Sequence, residues 1–487
     1  MDSETQKLRI FFLPYHTAGH MIPMVDEARV FAMHDVDVTI ILTPANASLF
    51  QENIDRDVLA GHRIRIHSIP FPSAEVGLPQ GIESLNTITS MEMAGQLYNS
   101  LQLLRNPIEQ LLHDQRPDCI VADMFFPWTL DVANQLRIPR LAFRGTSYFS
   151  LCGEYCVRVH EPHKSANSDV VSLTGFPHKI EMLISQLPDW CKTTTRFTAM
   201  MDVMRESEEK SYGVLMNSFH ELENDYEEYF KTTMGLKAWS IGPVSLWVNR
   251  NVSDKVGRFN IEGRDGHEVI DWLNSKGHNS VLYVSFGGIT KLPATQLKEI
   301  AYGLEASGHS FIWVVRKRKE DEYDEIFPEG FEERMKESKR GFIIKGWAPQ
   351  VLILDHPATG GMVSHCGWNS ILESLNEGLP LITWPLFAEQ FFNEKFLTDV
   401  VRIGVPGGVK EWREWGQEGT SLVKREEVEK AVKLLMGGGE EAEDIRKRVG
   451  RLKDEAKKAV EIGGSSYANL MDLINELKSL KMIKNVE

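Results

Sequence analysis

The chain has 487 residues, too many for one ordinary hydrophobic core, so at least two domains are expected. Its apolar fraction of 42% and charged fraction of 25% are those of a folded globular protein. A formal net charge of −15 argues against nucleic acid or an anionic bilayer as partner, and the polar opening with its short apolar run at 10–13 predicts neither a signal peptide nor a membrane span.

Arg9–Leu13 reads as an opening strand, followed by a loop over 14–20 that holds His16, Gly19 and His20. Met21-Ile22-Pro23 starts a helix, with Pro23 near the first turn, where a missing N–H costs nothing. Asp37–Leu42 is the next strand. This β-loop-α-β opening predicts a doubly wound α/β domain, in which ligands gather beyond the carboxyl ends of the strands. His20 lies at such an end. Further strands are expected at 119–125, with Asp123 near its carboxyl end, and at 138–143, with Thr146 and Ser147 just past it. A neutral imidazole can take a hydroxyl proton, and a carboxylate on its far nitrogen would hold the tautomer. The residues alone leave Asp123 open as a helix cap and Asp118 as a competing partner.

The stretch 161–186 reads as polar and irregular, and 193–210 as a helix carrying Met200, Met201 and Met204, side chains that fill irregular apolar gaps. A buried strand at 213–219 and the charged helix His220–Thr232 close this half, and the aperiodic 247–264 reads as a linker. In the second half, a strong strand at 280–286 ends in Gly287-Gly288 before a helix over 293–307. Glycines at such a turn let backbone approach a phosphate. Strands at 311–316 and Gly341–Lys345 lead to Trp347, a flat face on which a base can stack.

After a short apolar strand at 358–363, Ser364-His365-Cys366-Gly367-Trp368-Asn369-Ser370 turns into a helix marked by Ile371, Leu372, Leu375 and Leu379. The free N–H groups of that helix start favour an anion such as a diphosphate. His365 is a candidate cationic or hydrogen-bonding phosphate partner. Glu373, one turn in, can accept ribose hydroxyls. Beyond the strand 381–384, Glu389 and Gln390 offer a carboxylate and an amide suited to sugar hydroxyls. Trp412 and Trp415, in the insertion 410–418, read as surface or interface residues, and 465–480 as an amphipathic helix. Five scattered cysteines without paired metal spacing suit a reducing compartment, which predicts a cytosolic protein.

Residues 347–390, WAPQVLILDHPATGGMVSHCGWNSILESLNEGLPLITWPLFAEQ, resemble nearly position for position the nucleotide-sugar signature box of plant family-1 UDP-glycosyltransferases, and the resemblance runs over essentially the whole chain. It implies the GT-B fold, two facing Rossmann-like doubly wound domains with a cleft between them. Residues 1–246, with 465–487 packed back on them, would bind the acceptor, and 265–464 the UDP-sugar. PYHTAGHMIP at 14–23 places the family's catalytic histidine on His20, leaving His16 as a decoy, and VADMF at 121–125 places the orienting aspartate on Asp123. By the same resemblance Trp347 stacks on uracil beside Ala348 and Gln350, and Glu373 holds the ribose. His365, Asn369, Ser370 and Ser285 stabilise the diphosphate, and Trp368, Glu389 and Gln390 meet the sugar. Gly19 and Gly367 complete the donor side, with His16, Thr146 and Met200 near acceptor or sugar. Gly288 departs from the family's usual serine, which leaves Ser285 and backbone N–H groups as phosphate donors.

The resemblance implies an inverting transfer by a monomer with His20 as base, with no cofactor and no metal. Gln390 favours UDP-glucose, with galactose, glucuronic acid and xylose as alternatives. The segments 76–85, 186–190 and 242–247 resemble enzymes acting on triterpenoid saponin aglycones and flavonoids, so the expected acceptor is an apolar triterpenoid, with a flavonoid as competitor. A non-catalytic nucleotide-sugar-binding protein and a glycoside phosphorylase or hydrolase are the readings from other classes.

Overall fold

The computed structural model describes residues 7–249, 251–257, 267–290, 292–316, 323–417, 419 and 421–484. Its strands, in chain order, are β1 (Arg9–Leu13), β2 (Asp37–Leu42), β3 (Ile64–Ser68), β4 (Cys119–Asp123), β5 (Arg140–Phe143), β6 (Val170–Ser172), β7 (Glu181–Leu183), β8 (Gly213–Met216), β9 (Ala238–Ser240), β10 (Val281–Ser285), β11 (Ser310–Val315), β12 (Gly341–Lys345), β13 (Thr359–Ser364), β14 (Leu381–Thr383) and β15 (Gly404–Pro406). They form a seven-stranded sheet in the order β3-β2-β1-β4-β5-β8-β9, a six-stranded sheet in the order β12-β11-β10-β13-β14-β15, and the hairpin β6-β7. Both large sheets are parallel throughout. Parallel strands covered on both faces need unbroken apolar runs, which is why β4 and β10 are buried at every position. These are two Rossmann-like domains, the organisation of the GT-B class.

The chain divides into two compact units, Met1–Gly145 with Thr194–Glu262 and Lys458–Glu487, and Thr146–Thr193 with Gly263–Lys457. The first holds the seven-stranded sheet. Its terminal helix, Ser465–Lys484, buries Leu470, Leu473, Ile474 and Leu477. That helix is pinned by Ser466 Oγ donating to the Gly242 carbonyl at 2.5 Å and by Lys481 Nζ meeting Asp118 at 2.9 Å. The expected linker is partly helical, over Val244–Val248 and Val252–Gly257, and Trp247 is buried against Tyr467. Residues 250 and 258–264 of that stretch lie outside the described residues.

The second unit holds the six-stranded sheet and also claims 146–193, which the sequence alone assigns to the first domain. The grouping has visible contacts. Ser147 Oγ donates to Asn393 Oδ1 at 2.8 Å, and the Trp412 backbone N–H donates to the Ser185 carbonyl at 2.8 Å. Gly153 packs so tightly that a Cβ there would lie 2.7 Å from the Phe392 ring. Nor is 161–186 irregular, since it carries the antiparallel hairpin β6-β7.

Two further expectations are corrected. The first helix runs Ala18–Met33, so His20 belongs to its first turn and Pro23 to its second, where proline removes a bond to the Gly19 carbonyl. Trp412 is buried, and its indole N–H donates to the Ala388 carbonyl at 2.9 Å. It fastens a loop of the candidate site. Among the described residues no helix is long and apolar enough to cross a membrane.

Candidate active site

In each sheet the strand order reverses once beside the first strand, between β1 and β4 and between β10 and β13, and open α/β sheets bind ligands at such switch points. In the first unit this puts the turn after β1 next to the end of β4. His20 Nδ1 lies 2.7 Å from Asp123 Oδ2. The Asp123 carboxylate is fully buried, and its other oxygen accepts the Phe125 N–H at 3.1 Å, which fixes its orientation. The local cap and the pairing with His20 are thus served by one carboxylate. Asp118 is occupied elsewhere, by the Arg9 N–H and Lys481.

The His20 side chain is 22% exposed, walled by the rings of Tyr15, Phe125 and Phe143 at centroid distances of 5.8, 5.6 and 6.3 Å. Nδ1 is the nitrogen turned to Asp123, and Nε2 lies on the other side of the ring. The helix start that carries it is held by a residue with no sequence signal of the role. Asn86 Oδ1 accepts the Ala18 N–H at 2.7 Å, while Thr17, the cap position, makes no side-chain cap bond. Two turns on, Glu27 is fully buried with neither carboxyl oxygen bonded to a described residue. Burial, with Asp26 and Asp123 adding, pushes its pKa well up, which disfavours a second negative charge beside Asp123.

In the second unit Ser285 and Ser364 end adjacent strands in register, and the turns after them converge on His365. Gly287, at φ +83°, passes so close that a Cβ would lie 2.8 Å from the imidazole, and a Cβ on Gly367 would lie 2.4 Å from its Nε2. The ring lies between two glycines from different turns. Burial lowers its pKa to about 4, and its Nδ1 bonds to no described residue. In the free chain this burial favours the neutral, hydrogen-bonding form of the ring. Cys366, next along, holds a left-handed φ of +63°, strain of the kind found at functional turns, and its carbonyl accepts Asn393 Nδ2 at 2.9 Å.

Gly367 caps the helix Trp368–Asn376, whose first N–H groups belong to Trp368, Asn369 and Ser370. The Trp368 indole is buried, so its backbone N–H is what it can offer a ligand. Gln350 ties the helix to the sheet. Its Nε2 donates to Glu373 Oε2 at 2.7 Å and to Ser370 Oγ at 3.2 Å, and its Oε1 accepts the Tyr283 hydroxyl at 3.4 Å. Trp347 is half-buried with the Arg316 guanidinium 5.6 Å over its ring, and Arg316 also donates to the Gly288 carbonyl. Ala348, next to it, is buried. Gln390 Oε1 accepts two backbone N–H groups, of Leu386 at 2.9 Å and Phe387 at 3.1 Å, so the amide nitrogen is its remaining polar group. Glu389 Oε1 accepts Asn393 Nδ2 at 3.4 Å.

The structure brings together His20 with Asp123 in one unit, and Ser285, His365, Gly367 and the helix start in the other. Others are placed apart from such chemistry. His16 is buried, bonded through Nδ1 to the Glu83 carbonyl at 3.1 Å, with its pKa lowered by burial to about 4. Thr146 shares a 2.7 Å bond with the Ser150 hydroxyl, and Met200 lies half-buried on the helix Arg196–Glu209. Gly19 is exposed in the first turn of its helix. Among the described residues no three His, Cys, Asp or Glu side chains are grouped to hold a metal ion.

A model of the family described as UDP-glucoronosyl and UDP-glucosyl transferase matches residues 18–405. The soyasapogenol B glucuronide galactosyltransferase of Glycine max is 50% identical over 490 residues, spanning 100% of this chain and 99% of its own. UDP-glucose flavonoid 3-O-glucosyltransferase 7 of Fragaria ananassa is 46% identical over 483 residues, spanning 98% and 97%. The crystal structure of Glycyrrhiza uralensis UGT73P12 complexed with glycyrrhetinic acid 3-O-monoglucuronide superposes with a TM-score of 0.94 at 50% identity, covering 98% of this chain and 97% of that one.

Proposed function

Because this chain belongs to the UDP-glucoronosyl and UDP-glucosyl transferase family and is a plant UDP-glycosyltransferase, we propose that it transfers glucose from UDP-glucose to a hydroxyl of a triterpenoid or triterpenoid glucuronide, with His20 as general base. The observation that carries the chemistry is the 2.7 Å contact between His20 Nδ1 and the buried Asp123.

Nδ1–H donates to the carboxylate, so Nε2 presents its lone pair to the acceptor hydroxyl. As Nε2 takes the proton, the hydroxyl oxygen bonds to the anomeric carbon and the bond from that carbon to UDP breaks. The configuration inverts in this single displacement. Asp123 stabilises the imidazolium that forms. Charge growing on the departing diphosphate is met by Ser285, His365 and the N–H groups of Trp368, Asn369 and Ser370, preorganised donors that need little reorganisation. Trp347 would take the uracil and Glu373 the ribose. On this reading the enzyme needs no metal ion or cofactor, and works as a monomer in the cytosol.

Two relatives at 50% identity carry triterpenoid glucuronides in their names, which supports the triterpenoid over the flavonoid of the relative at 46%. UDP-galactose is the second donor reading, favoured by the Glycine max relative's name, while Gln390 supports glucose. The test is His20→Ala with UDP-glucose and UDP-galactose against triterpenoid and flavonoid acceptors, read by mass spectrometry. Transfer should fall at least about 100-fold while UDP affinity is kept. Joint loss of UDP binding and transfer would make His20 structural, and product from flavonoids alone would move the acceptor assignment.

A further inference from the structure

We propose that a cavity at the end of the first unit's sheet opposite to His20 binds a small organic anion, a phosphate or carboxylate on a short apolar stem. The cavity, of about 920 Å3, opens where β4 and β5 begin. Asp118, on its wall, is five residues from Asp123, about 16 Å along the strand. It is therefore separate from the catalytic pair.

Its floor is Arg140, only 2% exposed. Nε donates to Thr129 Oγ1 at 2.8 Å and Nη1 to Ser211 Oγ at 2.6 Å, two neutral hydroxyls. Among the described residues no carboxylate lies within ion-pair distance of this guanidinium, and Nη2 makes no hydrogen bond. Burial lowers the Arg140 pKa only to about 10, with the charges of Glu208 and Asp123 working against that fall, so the cation persists at neutral pH. A buried guanidinium with one nitrogen unengaged, beneath an open cavity, is a fork waiting for an oxyanion.

The rim repeats the sign. Arg116 and Arg137 are exposed, and neither has an ion-pair partner among the described residues. Among the described residues Lys484 donates to the Leu136 carbonyl, at 2.9 Å, and to no carboxylate. Lys481 and Lys210 are neutralised by Asp118 and Glu206. Arg140, Arg116, Arg137 and Lys484, none of them in an ion pair among the described residues, thus face one cavity in a chain of net charge −15. Apolar surface from Leu130, Leu480 and Ile483, the last at 59% exposure, lines one side of the cavity, beside the polar Asn134, Gln135 and Tyr212. Cations below and alkyl surface at the side suit an amphipathic anion better than inorganic phosphate.

The test is calorimetric titration of the full chain, with saturating UDP present to fill the donor diphosphate site. The probes are octyl phosphate, octanol, inorganic phosphate and phosphatidylcholine vesicles containing phosphatidic acid. Octyl phosphate should bind more tightly than inorganic phosphate or octanol. Arg116→Gln with Arg137→Gln should weaken it at least tenfold, leaving basal transfer and melting temperature unchanged, and Arg140→Gln should abolish it. Binding confined to the vesicles and lost in the same variants supports the site with a lipid headgroup as its source. Octanol binding as well as octyl phosphate, equal affinity in the double variant, or no binding of any anionic probe overturns the assignment.

Discussion

Glu394 gives the sharpest quantitative prediction. It is 5% exposed, and burial pushes its pKa from 4.5 to about 7. Its Oε2 accepts the Thr383 hydroxyl, and that hydroxyl also reaches the Val405 carbonyl at 3.4 Å, so a protonated Glu394 can donate to Thr383 when Thr383 turns to Val405. Between pH 4.5 and 7 the folded chain holds a proton that the unfolded chain has released, so stability falls as pH rises through this window and is level above it. At about 1.4 kcal/mol per pH unit, a shift from 4.5 to about 7 costs about 3 kcal/mol at pH 8. Glu394→Gln keeps one donor and one acceptor without the charge. It should match wild type near pH 4.5 and gain about 3 kcal/mol at pH 8, roughly 6–12 °C in melting temperature for a domain of this size. Melting curves of both proteins from pH 4.5 to 9 check this. A difference that does not change with pH, or a variant less stable than wild type at pH 8, refutes the buried-carboxyl account.

Three further outcomes bear on the donor site. Gly367→Ala, at a φ of −66° that alanine accepts, should raise KM for the UDP-sugar about 10–100-fold by displacing His365, with little change in melting temperature; an unchanged KM means the imidazole is not needed there. Gln390→Glu keeps the acceptor that fastens Leu386 and Phe387 but removes the amide donor. It should lower kcat/KM for UDP-glucose with the fold intact, and full activity would reduce Gln390 to a loop fastener. A chelator should leave the transfer rate unchanged, and inhibition restored by a divalent ion would contradict stabilisation of the diphosphate by preorganised donors.

The strands most legible in the sequence are those with unbroken apolar runs. β1, β2 and β12 fall on the expected residues, and the ends of β4, β10 and β13 shift by no more than two. β3 escapes because it is an edge strand with most positions at least partly exposed, and β9 and β15 because three residues carry no periodicity. His20 and Asp123 are legible as strand-end polar residues, but their pairing depends on β1 and β4 being neighbours, which the resemblance supplies and local pattern does not. The cradle of His365 is less accessible still. Gly287 and Gly367 each look like ordinary turn glycines, and only the adjacency of β10 and β13 turns them into the two walls of one ring. Trp412 and Asn393 carry no motif, and their importance lies in the backbone carbonyls they reach.

The first unit is written in three pieces, and its last piece is Lys458–Glu487. During synthesis all seven strands of the first sheet are made before β10, but the helix that completes this unit follows only after the whole six-stranded sheet. At about 5–20 residues per second, residues 263–457 occupy the ribosome for about 10–40 seconds. Throughout that interval β9 lacks the helix whose Ser466 and Asn469 bond to the Gly242 and Ser240 carbonyls. For that long the nascent chain carries an apolar surface that only Leu470, Leu473, Ile474 and Leu477 of the final helix will cover, so the first unit closes last although its strands are made first.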